Sequence, residues 1–139
     1  MITLKRAHLE EMYAHAREAA PEECCGLVGG TIETGHARTV YRLRNTAADR
    51  RVAYEAAPQE LFAAQRSMRE RDEQLLAIYH SHPRSSDPVP SERDVRLAYY
   101  PAAIYLIIGL DEEDARLRAF RLLEREGHWE RIEYAIAAG

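Results

Sequence analysis

The sequence predicts an α/β domain: one mixed β-sheet with helices packed on it. Three observations carry the prediction. Two stretches, one near the N-terminus and one opening at Pro58, space their apolar residues at the helical period. Between and after them lie short apolar runs of strand length, at Cys24–Ile32, Gln74–Tyr79 and Ala103–Leu110. The last third then reads as strand after strand, which adds an antiparallel tail to whatever the earlier strands build. With 139 residues the chain is read as a single domain, long enough for its own core without disulfides or metal staples.

From about Thr3 to Ala20, Leu9, Met12, Tyr13 and Ala16 fall on one stripe while Glu10, Glu11, Arg17 and Glu18 lie off it, so this segment reads as a helix stopped by Pro21. Cys24 to Ile32 reads as a buried strand, with Gly26, Gly29 and Gly30 easing a bend or letting a neighbour approach the backbone. Glu33-Thr34-Gly35 is a hairpin turn into His36–Asn45, where Ala37, Thr39, Tyr41 and Leu43 alternate with other residues. Residues 46–57 look irregular. Pro58 then opens a helix to about Asp72, with Leu61, Phe62, Gln65 and Met68 expected to face inward. Gln74–Tyr79 is a buried strand, Arg84–Pro90 a loop rich in Ser and Pro, and Ser91 to about Tyr100 a short helix. Ala103–Leu110 is almost wholly apolar, as a central strand covered on both faces must be. An acidic turn, Asp111 to Asp114, leads to strands at Ala115–Leu123 and His128–Ile136; alternation slips near Phe120, which suggests a bulge.

The bulk properties exclude several function classes. A composition of 46% hydrophobic and 30% charged residues is that of a soluble globular protein, and a net charge of -4 gives no electrostatic case for nucleic acid or an anionic membrane. No stretch approaches the roughly eighteen apolar residues of a membrane span. The N-terminus lacks the basic-then-apolar order of a signal peptide. The adjacent pair Cys24 and Cys25 cannot build a disulfide framework and suggests a reducing compartment, so a cytoplasmic location is expected.

Chemistry concentrates in His80-Ser81-His82-Pro83, followed after seven residues by Ser91-Glu92-Arg93-Asp94. If the strand ending at Tyr79 continues, His80 and His82 point to one side, since strand side chains alternate. Pro83 favours this by keeping His82 out of the α region. Two imidazoles and a carboxylate returned by a short loop make three ligands with an open fourth position, the arrangement of a catalytic zinc. The plainer readings stand beside it: a His-x-His pair is often surface decoration, and Ser91 with Asp94 matches a helix N-cap with an acidic first turn.

The spacing His-Ser-His-Pro, seven residues, Ser, two residues, Asp resembles the signature of the JAMM (MPN+) zinc metalloproteases at every position. An upstream segment, Pro21-Glu22-Glu23-Cys24-Cys25-Gly26, resembles that family's Pro-x-Glu-x-Cys-Gly and puts Glu23, not Glu22, at the glutamate position. The likeness runs from about Leu4 to Leu110. It implies the cytidine-deaminase-like fold of JAB/MPN domains, Zn2+ held by His80, His82 and Asp94, Glu23 as the proton-transferring base and Ser91 as a donor to the oxyanion. It also implies hydrolysis of a peptide or isopeptide bond at the C-terminal tail of a ubiquitin-like or sulfur-carrier protein with a Gly-Gly type end. The short connection from Asp94 to Ala103 leaves little room for the insertion that holds a second ubiquitin. The small prokaryotic members that this chain resembles act on ThiS/MoaD-like carriers, where the precedent is release of a C-terminal cysteine.

Two rival readings keep the resemblance: a general isopeptidase on ubiquitin-like conjugates, and a non-catalytic MPN interaction module, which typically loses metal ligands. A zinc deaminase would need a Pro-Cys-x-x-Cys, which is absent. A phage-tail cell-wall peptidase usually carries a second catalytic domain. The remaining histidines, His8, His15, His36 and His128, show no ligand spacing, and the oligomeric state is not legible.

Overall fold

The computed structural model describes residues 1–92, 94, 103–111, 114–123 and 128–138. Its elements are β1 (Ile2–Lys5), α1 (Arg6–Ala19), β2 (Cys25–Thr31), β3 (His36–Leu43), α2 (Pro58–Glu70), β4 (Gln74–His82), β5 (Ile104–Leu110), β6 (Ala115–Leu123), β7 (His128–Ile132) and β8 (Tyr134–Ala137). All described strands join one eight-stranded sheet in the order β7-β6-β5-β4-β2-β3-β1-β8. β4 runs parallel to β5, and β1 parallel to both β3 and β8; the other neighbours are antiparallel. The expected mixed sheet with helices packed on it is what the chain forms.

Helices α1 and α2 take opposite faces of the sheet. α1 buries Leu9, Met12 and Ala16 against Val28, Ala77, Tyr79, Leu106 and Ile108. α2 buries Ala64 and Met68 against Leu27, Ile78, Tyr105 and Ile107. Strands covered on both sides must be apolar on both, which is why β5 is buried along nearly its whole length. The start of β4 is tied across to β3 by Glu73, whose buried carboxylate accepts hydrogen bonds from Thr39 Oγ1 (2.6 Å) and Tyr41 OH (2.5 Å).

Four expectations need correction. The N-terminal helix does not begin at Thr3: Ile2 and Leu4, both buried, alternate with Thr3 and Lys5 and form β1 along β8. On α2, Leu61, Ala64 and Met68 define the inward stripe, so Phe62, one residue and about 100° round from Leu61, is 65% exposed. The run from His128 to Ile136 is two strands. β7 pairs with β6, whereas β8, a single residue later, pairs with β1 at the other end of the sheet. Consecutive strands on opposite edges require the sheet to curl until those edges approach each other. No bulge occurs at Phe120, because β6 keeps one register with β5 and with β7 throughout. The slip in its pattern is two-sided burial: Ala115, Leu117 and Ala119 face the α1 side, while Phe120 and Leu122 face the α2 side. There Phe120 meets Trp129 edge-to-face at 5.2 Å. The irregularities in the sheet lie in the β2 pairings around Gly29 instead.

Candidate metal centre

β4 continues through His82, so its alternation carries into the motif. Ala77 and Tyr79 look toward α1, and Ile78 toward α2. His80 and His82 therefore share the α2 side with Ile78, as the spacing predicts. Ser81, between them, turns the other way and is fully buried. It receives the Cys24 N–H on Oγ (2.8 Å), and its own N–H donates to Cys24 O (3.2 Å). This stitch, with Cys25 directly opposite His80 in the β2/β4 ladder, brings the Glu23 segment to the end of β4.

Three atoms converge there. His80 Nε2 and His82 Nε2 are 3.1 Å apart, and Asp94 Oδ2 lies 3.2 Å from each. The Glu23 carboxylate joins the two imidazoles with all ligand atoms within 4.8 Å of one another. His80 is inaccessible and Glu23 is buried. Asp94 is drawn in by the Ser91 N–H, which donates to Oδ2 (2.8 Å), while Asp94 N–H donates to Ser91 Oγ (3.0 Å). This is the reciprocal cap read from Ser91-x-x-Asp94, and it coexists with the clustering: Ser91 Oγ accepts from Asp94, which leaves its hydroxyl proton to be donated. The rest of the helix expected from Ser91 to about Tyr100 lies outside the described residues. Burial by itself pushes the Asp94 carboxyl up; the charge of His80 and hydrogen bonds from His80, His82 and Ser91 outweigh it and hold the group well below the usual carboxylate range.

The donor set fits a metal. Two imidazole nitrogens and a carboxylate oxygen within 3.2 Å of one another are all lone-pair donors, and the two Nε2 atoms can share only one proton between them. A cation resolves that crowding. Zinc bonds of about 2.0–2.1 Å in tetrahedral geometry separate ligands by about 3.3–3.4 Å, close to the 3.1–3.2 Å found here. His80 Nδ1 has no hydrogen-bond partner among the described residues, so its tautomer is set at Nε2 alone.

Glu22, the neighbour in the rival register, is committed elsewhere: its Oε2 pairs with Arg50 Nε at the surface (3.0 Å). Both cysteines are free and buried, and burial pushes their thiols up, Cys24 to about 11 and Cys25 to about 12. Neither has the activated thiolate a nucleophile needs. His15 is engaged through Nδ1 with Tyr79 OH (2.7 Å), a packing role.

Tyr54, in the segment that looked irregular, reaches the centre unforeseen, and Asn45, expected as the last residue of a strand, braces the backbone beside it. Tyr54 stacks on His80, ring centroids 4.4 Å apart and planes 24° from parallel. Asn45 hydrogen-bonds to the backbone on both sides, at Glu23 and at Ala53. Spacing could not reveal Tyr54; the one available signal was an Asn followed by a small-residue turn, which favours side-chain-to-backbone bonding. A cleft of about 560 Å³ opens beside Glu23, lined among others by His15, Glu22, Arg44, Asn45 and Arg50.

A buried His/His/Asp/Glu cluster at the end of a central strand, with an N-capped carboxylate completing it, defines an α/β domain built around a candidate hydrolytic metal centre. The chain belongs to the family of prokaryotic homologs of the JAB domain, whose pattern matches residues 5–123. It is 36% identical to the desampylase of Haloferax volcanii over 73% of this chain and 76% of the relative. The CysO-cysteine peptidase of Mycobacterium tuberculosis is 31% identical over 89% of this chain and 84% of its own length. A probable TtuB-protein conjugate cleaving protease of Thermus thermophilus is 36% identical, covering 89% and 78%. Among solved structures, a protein of Desulfitobacterium hafniense superposes with a TM-score of 0.87 at 33% identity, covering 100% of this chain and 94% of that one.

Proposed function

We propose that this protein is a zinc-dependent peptidase that hydrolyses the peptide or isopeptide bond at the C-terminal tail of a ubiquitin-like or sulfur-carrier protein. The observation that carries the reading is the triangle of His80 Nε2, His82 Nε2 and Asp94 Oδ2 with edges of 3.1–3.2 Å and the Glu23 carboxylate beside it. In this reading the two histidines and Asp94 hold the metal. When bound, zinc supplies Lewis acidity and brings the pKa of water down from about 15.7 toward about 7. Glu23 accepts the proton of the attacking water and returns it to the leaving amine as the C–N bond breaks. The Ser91 hydroxyl, with its oxygen already engaged by Asp94 N–H, donates its hydrogen toward the carbonyl oxygen as negative charge develops on it.

The substrate we favour is a ThiS/MoaD-like carrier with a Gly-Gly type tail, from which a C-terminal cysteine is released. The name CysO-cysteine peptidase supports it. The relative named for cleaving a TtuB-protein conjugate supports the second reading, an isopeptidase on ubiquitin-like conjugates. An extended, glycine-rich tail suits either, because it adds as a strand and passes through a narrow cleft. With a net charge of -4 no nucleic-acid partner is proposed. Two free thiols accord with a cytoplasmic setting, and no helix among the described residues is long and apolar enough to cross a membrane.

The test is intact-mass analysis of a carrier extended by one C-terminal cysteine, incubated with zinc-loaded protein beside a matched isopeptide conjugate, with Glu23→Gln as control. Loss of one cysteine residue's mass only with the wild type supports the favoured substrate. Cleavage of the conjugate alone promotes the isopeptidase. A protein that binds no zinc and cleaves neither sinks both and leaves the non-catalytic module.

A further inference from the structure

We propose that Asn45 is a positioning residue that holds the Glu23 backbone and the Tyr54 ring against the His80/His82/Asp94 centre as one unit. The inference rests on the reading of that centre given above. Asn45 is the second residue after β3 and stands where the segment 46–57 leaves the sheet. A primary amide offers two N–H donors and one oxygen with two lone pairs, and here all four are used. Nδ2 donates to Glu23 O and to Ala53 O, each at 2.9 Å. Oδ1 accepts from Ala47 N–H and Glu55 N–H, each at 3.0 Å. Turning the amide over would set donors against donors and an acceptor against carbonyls, so the network fixes its orientation.

The peptide groups that Asn45 grips are telling. Ala53 O and Glu55 N–H belong to the two peptide planes that flank the Tyr54 Cα, so both are fixed by one side chain. Tyr54 is the residue stacked on His80. Glu23 O belongs to the plane after Glu23, and the plane before it is held by Glu23 N–H donating to Arg50 O (2.7 Å), a residue of the same segment. Backbone support from regular structure is thin here: the segment is closed by one isolated bridge, Asn45↔Ala56, outside the strands of the sheet. The bonds of that bridge, Thr46 N–H to Glu55 O (2.8 Å) and Ala57 N–H to Arg44 O (3.0 Å), close the base of the loop. The tip is tied through Arg50 O to Glu23 N–H (2.7 Å) and by Val52 N–H to Asp49 O (3.4 Å), and the backbone either side of Tyr54 is held by Asn45. One side chain thus links the candidate base, contributed before β2, to the aromatic wall of a ligand histidine on β4. A residue that only closed a turn would need the two bonds to Ala47 and Glu55; the bonds to Glu23 and Ala53 are what couple the turn to the centre.

Asn45→Asp separates these functions. The carboxylate keeps the acceptor side and loses both donors, setting an oxygen against Glu23 O and Ala53 O. Asn45→Ala removes everything and is the coarser control. Hydrogen exchange, zinc stoichiometry and steady-state kinetics on the cysteine-extended carrier are measured together. In Asn45→Asp, peptides covering 22–25 and 53–56 should lose protection while β4 and β5 keep theirs, with zinc still bound one per chain. kcat should fall about 10–100-fold, the range seen when support around a metal site is removed, with KM within about threefold. Unchanged protection at Glu23 and around Tyr54, or kcat within about twofold of the wild type, overturns the proposal. Global loss of protection with loss of zinc in both variants also overturns it, because the residue would then be serving the fold. Should the wild type cleave neither substrate, the functional reading fails, and the exchange pattern still decides whether Asn45 couples the two segments.

Discussion

Gly26→Ala puts the fold's dependence on close approach to a direct test. Gly26 lies on β2 opposite Tyr79 of β4. A methyl group there would fall well inside contact distance of Tyr79 Cε1, Cζ and OH. The far end of an exposed side chain could move aside, but Tyr79 is fully buried. Its hydroxyl is bonded to His15 Nδ1 at 2.7 Å, and its ring meets the imidazole edge-on at 5.8 Å. Overpacking a core typically costs about 1–3 kcal/mol, and stranding the buried hydroxyl adds about 1–3 kcal/mol. We therefore expect Gly26→Ala to destabilise the protein by about 2–6 kcal/mol. At about 3–5 °C per kcal/mol for a chain of this size, the melting temperature should fall by about 6–30 °C. Denaturant melts of Gly26→Ala, Tyr79→Leu and the double variant form the assay. Removing the ring should relieve the methyl, so the pair should be non-additive by about 1–3 kcal/mol. Additivity within about 0.5 kcal/mol, or a single-variant cost below about 1 kcal/mol, would refute the contact as the reason for glycine.

Other expectations concern the centre and the thiols. His80→Ala or Asp94→Ala should abolish zinc binding and cleavage together; full zinc content in either would break the ligand assignment. Glu23→Gln should bind zinc normally and lose turnover, and an active variant would move the base, with Glu22 next to examine. Cys24 and Cys25, whose thiols burial raises to about 11 and about 12 from an ordinary 9.0, contribute stability that is intact below about pH 9 and is lost as pH rises through those raised values. Thermal melts should accordingly decline above about pH 9, and native protein at pH 8 should resist alkylation until denatured; rapid labelling without unfolding would contradict the burial.

The parts of this fold that sequence could foretell are those governed by a single period. Leu9, Met12 and Ala16 mark α1, the apolar run of β5 marks a doubly covered strand, and His80 and His82 mark one side of β4. Where two requirements overlap, the pattern misleads. β6 changes its buried side at Ala119 and Phe120 because each face is covered along a different part of the strand, and this mimics a bulge. Ile2 and Leu4 run directly into the helical stripe, which hides the strand before it. The site divides the same way. The candidate ligands share a short stretch, and their convergence is legible by spacing. Asn45 and Tyr54 act through backbone carbonyls and ring stacking, which leave no periodic trace.

Alternate residues of β4 divide the labour between its faces, and Ser81 is where this can be measured. His80 and His82 work on the α2 side, while Tyr79 and Ser81 anchor on the α1 side. The Ser81 side chain turns away from the two histidines, and its hydroxyl receives the N–H of Cys24, the residue after Glu23. Ser81→Ala would leave that buried N–H unpaired at a cost of about 1–3 kcal/mol. The backbone bond from Ser81 N–H to Cys24 O (3.2 Å) survives the change, so the segment should slacken rather than detach. On the proposed assignment zinc is held by His80, His82 and Asp94, so its affinity should hold, whereas turnover rests on where Glu23 sits and should fall. Ser81→Thr keeps the hydroxyl and should recover most of the loss, provided its methyl is accommodated beside Cys24. Zinc titration and kcat for the three proteins decide the matter. A variant that loses zinc in step with turnover would show that Ser81 orders the histidines and not the base.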